Sequence, residues 1–224
     1  EGQILGSKWI EDFPKDHTAG KNCLKTALYE LLSEVTGRTL PWGTLTGIRP
    51  TKIPMAFYDS GQSREEAAEH LRRTYKVSEE KICLCTKVAA NEKRILEGID
   101  KERSFSLYVG IPFCPTICLY CSFSSYPLNV WAKEVDHYLE ALFKEIRQVS
   151  RMVDQGCLTT VYMGGGTPTS LNAEQMDRLL CTLEENFDLN IAREFTIEAG
   201  RPDSIDLDKL RVMKGHGIER ISIN

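Results

Sequence analysis

The chain has 224 residues, 42% of them apolar and 27% charged, ordinary globular proportions that leave room for one large domain or two smaller ones. Its 28 basic and 32 acidic side chains give a net charge of −4, so no cationic footprint points to nucleic acid or to an acidic membrane surface. No apolar run approaches the ~18–20 residues that span a bilayer, and the N-terminus lacks a signal-peptide pattern, so the expected location is cytoplasmic.

Residues 1–102 read as a mainly helical region. Lys21 to Val35 carries Leu24, Leu28, Leu31 and Leu32, a helical stripe ended by Gly37. The Gly/Pro-rich stretch from Leu40 to Pro50 reads as an ordered connector. Ser63 opens a helix in which Glu66 completes a capping box and Ala67, Leu71 and Tyr75 mark the apolar face. Ser78 caps another helix that runs through Ile82, Val88, Ala89 and Ile95 toward Gly98. No catalytic constellation falls in this region, which reads as accessory.

Residues 103–224 change period. Ser106 to Ile111 is a short apolar run with the composition of a buried strand, and Lys133 to Val153 is an amphipathic helix. Thr159 to Met163 is a second strand, and Asn172 caps a helix carrying Met176, Leu179, Leu180, Leu183 and Phe187. Glu194 to Glu198, a helix from Asp206 to Met213, and Glu219 to Asn224 complete the alternation. Strands separated by helices require parallel pairing through crossovers, which defines an α/β class. Such an alternation makes about half of a (β/α)8 barrel, and a doubly wound sheet shares the same local pattern. Because the chain begins at Glu1 and stops inside a strand-like run, it reads as a fragment of a longer protein.

The 8 cysteines need an explanation, since a reducing compartment disfavours disulfides. Cys23, Cys157 and Cys181 sit among apolar neighbours and read as small core residues, while Cys83 and Cys85 form a lone C-x-C that is weak evidence for metal. Cys114, Cys118 and Cys121 differ. They form C-x3-C-x2-C in the loop directly after the first strand. Thiolates are the usual ligands of iron–sulfur clusters, and three of them leave one iron of a cubane open to a chelating molecule. A structural zinc site would want a further ligand pair, and none lies near in sequence.

The second strand runs into Met163-Gly164-Gly165-Gly166-Thr167-Pro168-Thr169, where backbone can approach a ligand without Cβ obstruction. A tight turn alone could explain the glycines. However, this segment follows a strand just as the cysteine loop does, so both open at the C-terminal rim of a parallel sheet. The third strand ends at the same rim in Glu198, whose alternatives are a ligand contact or a salt bridge with Arg201.

The cysteine loop resembles the signature of the radical S-adenosylmethionine (SAM) superfamily. The run from Tyr108 to Cys114 resembles the oxygen-independent coproporphyrinogen III oxidase family, as does the Gly-Gly-Gly-Thr-Pro-Thr segment. Trp42 to Lys52 is similar to the N-terminal extension of that family's coproporphyrinogen dehydrogenase branch. The resemblance implies a partial (β/α) radical SAM barrel behind a small helical N-terminal region. It implies a [4Fe-4S] cluster on Cys114, Cys118 and Cys121, with SAM against Tyr108, Tyr120, Gly165, Gly166, Thr167 and Glu198. The implied chemistry is homolysis of SAM to methionine and a 5′-deoxyadenosyl radical. The implied oxidoreductase serves heme and porphyrin biosynthesis. It decarboxylates two propionates of the tetrapyrrole coproporphyrinogen III to give protoporphyrinogen IX, with an electron donor and an acceptor as further partners. Two positions depart from the family's oxidases: Gly110 stands where they have His, and Phe123 where they have a further Cys. Phe123 resembles the family's heme chaperones, so a heme-binding chaperone without oxidase turnover is the second reading.

Overall fold

The computed structural model describes residues 4–47, 49–100 and 102–223, so Ile48 of the expected connector and Asn224 of the expected last strand lie outside the described residues. The chain divides after Gly98 into two compact units.

The first unit is helical: α1 (His17–Thr36), α2 (Lys52–Asp59), α3 (Arg64–Tyr75) and α4 (Glu79–Leu96). Ser63 and Glu66 form the expected capping box at the start of α3, and the Ser78 side chain accepts from the Lys81 N–H at the start of α4. Leu71, Val77, Ile82 and Cys85 make a small core against which Trp42 and Leu45 of the connector pack. The connector is pinned there by backbone bonds from Thr44 N–H to the Tyr75 carbonyl (2.7 Å) and from Ser78 N–H to the Pro41 carbonyl (2.9 Å). The helix α2 lies just beyond the expected connector, in a stretch where the sequence predicts no element. Its Pro54 sits in the first turn, where a missing N–H costs nothing. The stripe on α1 is present, but Leu24, Leu28 and Leu32 are each more than half exposed.

The second unit is built on one parallel sheet. In chain order it contains β1 (Phe105–Ile111), β2 (Phe113–Cys114), β3 (Tyr126–Pro127), α5 (Leu128–Trp131), α6 (Val135–Ser150), β4 (Leu158–Gly165), α7 (Ala173–Asn186), β5 (Glu194–Glu198), α8 (Leu207–Gly215) and β6 (Arg220–Ser222). The main sheet has the order β1-β4-β5-β6, and β2 pairs with β3 in a separate two-residue parallel ladder. Across the main sheet Val109 is the partner of Met163, Met163 of Ile197 and Ile197 of Ile221. This row belongs to the face that packs on Leu139, Leu142, Phe143 and Ile146 of α6, Leu179, Leu180 and Leu183 of α7, and Met213 of α8. One core, on one face, thus takes all three long helices.

Alternate residues Ser106, Tyr108, Thr160, Tyr162, Glu194, Thr196 and Glu198 occupy the opposite face, and of these only Thr196 is buried. Strands added in chain order through right-handed crossovers place every helix on one face, which is the arrangement of a partial (β/α) barrel. None of the described helices is long and apolar enough to cross a membrane. The core reading of three cysteines requires correction: Cys23, Cys157 and Cys181 are only partly buried, and Cys157 donates to the Asp154 carboxylate (3.4 Å). Leu158 and Leu180, beside Cys157 and Cys181, are buried on faces that these cysteines border, whereas Leu24 beside Cys23 is itself exposed. Cys85, from the C-x-C pair, does pack in a core.

Candidate functional site

The site forms where β1, β4 and β5 end. Leaving β1, the chain makes the two residues of β2, runs through the cysteine loop and returns at β3, where Phe113 pairs with Tyr126 and Cys114 with Pro127. Tyr126 N–H donates to the Pro112 carbonyl (2.8 Å), which closes the base of the loop. Cys114 is buried in this stem, and Cys118 and Cys121 are half-buried beyond it. The Cys121 N–H donates to the Cys118 carbonyl (3.0 Å) in a tight turn. All three thiols border one cavity of about 320 Å³.

The glycine loop at the end of β4 lies directly against this stem. Gly166 N–H donates to the Ile111 carbonyl and Thr167 N–H to the Phe113 carbonyl, each at 2.8 Å. A Cβ on Gly166 would stand 2.7 Å from the Phe113 carbonyl oxygen and 3.0 Å from Cys114 Sγ, so no larger residue fits without displacing the loop. Gly165 has φ +116°, a conformation that side-chain-bearing residues rarely adopt. Thr167 is buried, and its hydroxyl donates to Cys114 Sγ (3.4 Å).

Glu198 ends β5 at the same cavity. Its partner is Tyr162, whose hydroxyl donates to Glu198 Oε1 at 2.7 Å. That bond, helped by burial and by the carboxylate charge, pushes the Tyr162 phenol up to about 12. Tyr108 stacks on Tyr162 with 5.9 Å between ring centroids and 13° between planes, as the register of β1 on β4 requires. The alternative partner for Glu198 is otherwise engaged. The Arg201 guanidinium grips Asp203 at 2.9 and 2.6 Å, donates to the Thr116 carbonyl (3.2 Å) and hydroxyl (3.1 Å), and donates to Cys118 Sγ at 3.2 Å. Asp203 in turn holds Arg201 more firmly in its charged form.

Of the residues singled out from sequence, Cys114, Cys118, Cys121, Tyr120, Gly165, Gly166, Thr167 and Glu198 surround one cavity. Tyr108 borders an adjoining cavity of about 400 Å³ that shares Gly165, Gly166, Glu198 and Phe123 with the first. Tyr120 is almost fully exposed at 90%. Sequence reasoning missed Tyr162, whose contact with Tyr108 depends on strand register. It also missed Arg201 as a donor to sulfur, since the loop that brings Cys118 to it lies more than eighty positions earlier.

Comparison with known proteins agrees with this geometry. The radical SAM superfamily profile matches residues 108–224. The oxygen-independent coproporphyrinogen-III oxidase-like protein HemZ of Bacillus subtilis is 40% identical over 208 residues, covering 91% of this chain and 42% of that protein. The heme chaperone HemW of Bacillus subtilis is 40% identical over 121 residues, 52% of this chain and 30% of that protein. The oxygen-independent coproporphyrinogen III oxidase of Salmonella typhimurium is 39% identical over 122 residues, 54% of this chain and 26% of that protein. The chain thus spans less than half the length of each of these curated relatives. It belongs to the radical SAM superfamily, and its similarity within that superfamily extends to oxygen-independent coproporphyrinogen III oxidases, an oxidase-like protein and heme chaperones alike. That superfamily works with an iron–sulfur cluster and SAM.

Proposed function

We propose that Cys114, Cys118 and Cys121 hold a [4Fe-4S] cluster and that the glycine loop, Tyr108, Tyr120, Thr167 and Glu198 hold SAM beside it. The observation that carries this reading is the convergence of three thiols, a glycine loop and one carboxylate on a single cavity. The donor set suits the group, because thiolates are the protein ligands of such clusters and two of the three sulfurs already face hydrogen-bond donors, Thr167 and Arg201. When bound, the cluster supplies the one electron that cleaves SAM. The chain's own groups bind and orient. Glu198, fixed by the Tyr162 hydroxyl, keeps its second carboxylate oxygen for a donor on the ligand. Gly165 and Gly166 bring backbone to the cysteine loop closely enough that their polar groups can face a bound amino acid moiety. The second unit then serves as the N-terminal half of a (β/α) barrel, with its polar face inward.

The substrate we propose is a tetrapyrrole, and the reaction the oxygen-independent oxidative decarboxylation of coproporphyrinogen III to protoporphyrinogen IX, drawing on an electron donor and an acceptor. The family and the names of two of the relatives support it. A second reading, a heme-binding chaperone, is favoured by Phe123, which is 78% exposed at both cavities where the family's oxidases carry a cysteine, and by the 40% identity to a heme chaperone. Anaerobically reconstituted, dithionite-reduced protein should convert SAM to 5′-deoxyadenosine and methionine, and Cys118→Ala should abolish this together with the cluster absorbance. A reduced protein that leaves SAM intact would overturn the radical reading. Supplied with coproporphyrinogen III, an oxidase yields protoporphyrinogen IX; stoichiometric heme binding without conversion selects the chaperone.

A further inference from the structure

Away from the rim, α7 and the end of α8 bring four potential ligands together. Asp177, Cys181 and Glu184 lie at i, i+4 and i+7 on α7, one face of that helix. His216 caps α8 against them. Its Nε2 is 3.0 Å from Asp177 Oδ1 and its Nδ1 is 2.8 Å from Glu184 Oε1. One ligand atom each from Asp177, Cys181 and His216 lie within 4.8 Å of one another, and none of these residues borders the two rim cavities. The His216 side chain is only 13% exposed, so the imidazole has little freedom to leave.

We propose that Asp177, Cys181 and His216 form a second metal site, one that takes Zn2+ in tetrahedral coordination with a water as fourth ligand. Nitrogen, thiolate sulfur and carboxylate oxygen at bond lengths of about 2.0–2.3 Å are the donors this ion prefers. The arrangement also contains the part that separates a built site from a chance cluster. Glu184 accepts from Nδ1–H, fixing the tautomer that presents Nε2 toward Asp177, the carboxylate–histidine–metal pattern. Without metal, His216 can satisfy both carboxylates only as an imidazolium. Zn2+ replaces the proton at Nε2 and the Cys181 thiol proton, both of which pass to solvent, and no electron is transferred. The cost of ionising Cys181, set by its burial and by the negative charges of Asp177, Glu184 and Glu185, is met by the cation's own charge.

The test uses the full chain with the rim loop silenced by Cys114→Ala, Cys118→Ala and Cys121→Ala, titrated with Co2+ as a spectroscopic probe. One equivalent should bind with tetrahedral d–d bands and a thiolate charge-transfer band, and Zn2+ should displace it. Cys181→Ser should remove the charge-transfer band, and Glu184→Gln should weaken binding by about tenfold or more. Absence of these bands, or their survival in Cys181→Ser, overturns the site. If circular dichroism shows the silenced chain unfolded, zinc stoichiometry of the otherwise unaltered chain replaces it. His216→Gln should then lower the count by one equivalent, and an unchanged count overturns the site.

Discussion

Tyr162 ties together two residues that sequence singles out separately. Its ring lies against Tyr108 and its hydroxyl against Glu198, so a carboxylate that would otherwise rotate freely at the sheet edge is held in one orientation. Ionising the phenol would set two negative oxygens 2.7 Å apart, which is why it titrates near 12 rather than at its ordinary 10.0. The linkage follows from the sign of that shift: a folded value above the unfolded one gives stability that is complete below pH 10 and lost as pH rises through about 12. In Tyr162→Phe, an absorbance titration of tyrosinate should lose its latest-titrating phenol, and the protein should no longer lose that increment of stability between pH 10 and 12. The same variant should bind SAM several-fold more weakly, on the order of 1 kcal/mol for the loss of one orienting hydrogen bond. Unchanged SAM affinity by equilibrium dialysis would remove Tyr162 from the site.

At the scale of elements, the helices begin where their polar caps dictate. Asn172 and Gln175 reciprocate at the start of α7, with Asn172 Oδ1 accepting from Gln175 N–H at 2.8 Å and Gln175 Oε1 accepting from Asn172 N–H at 3.1 Å. Asn172→Ala should cost about 1 kcal/mol by denaturant unfolding, with little change in the slope of the transition. Caps, glycine stops and periodicity are local signals, which is why α3, α4, α7 and β5 are legible from the residues alone. The elements that are not legible depend on something beyond the local string. In α2, Pro54 reads as a breaker until the helix start is known. The two-residue strands β2 and β3 are too short for any alternation to register, and their pairing is fixed by where the cysteine loop returns. The α1 stripe has helical spacing, yet spacing alone does not say that Leu24 and Leu28 stand mostly exposed.

For the molecule as a whole, the second unit separates its duties by sheet face. Val109, Met163 and Ile197 face the helices, while Tyr108, Tyr162 and Glu198 stand on the other side, one residue away along the same strands. Stability and ligand contact can therefore be changed independently. Leu179→Ala, which empties a fully buried position on α7, should destabilise the protein by roughly 2–5 kcal/mol in thermal or denaturant unfolding. Iron content and SAM affinity per folded molecule should stay at the parental level. The candidate site was legible as three separate motifs because each sits at a strand end, and parallel strands deliver their ends to one rim. Arg201 was not legible, because its bond to Cys118 needs the fold of two distant loops at once. The β2–β3 stem sets the manner in which the site can be loaded. Because Phe113–Cys114 and Tyr126–Pro127 are already zipped, the chain between them is a tethered arch with its first sulfur anchored. With Arg201 also holding Thr116 and Cys118, only the crown, where Leu119 and Tyr120 are bare to solvent, is left to settle, so loading of the proposed cluster would begin at sulfurs already held and finish by local folding of the rest.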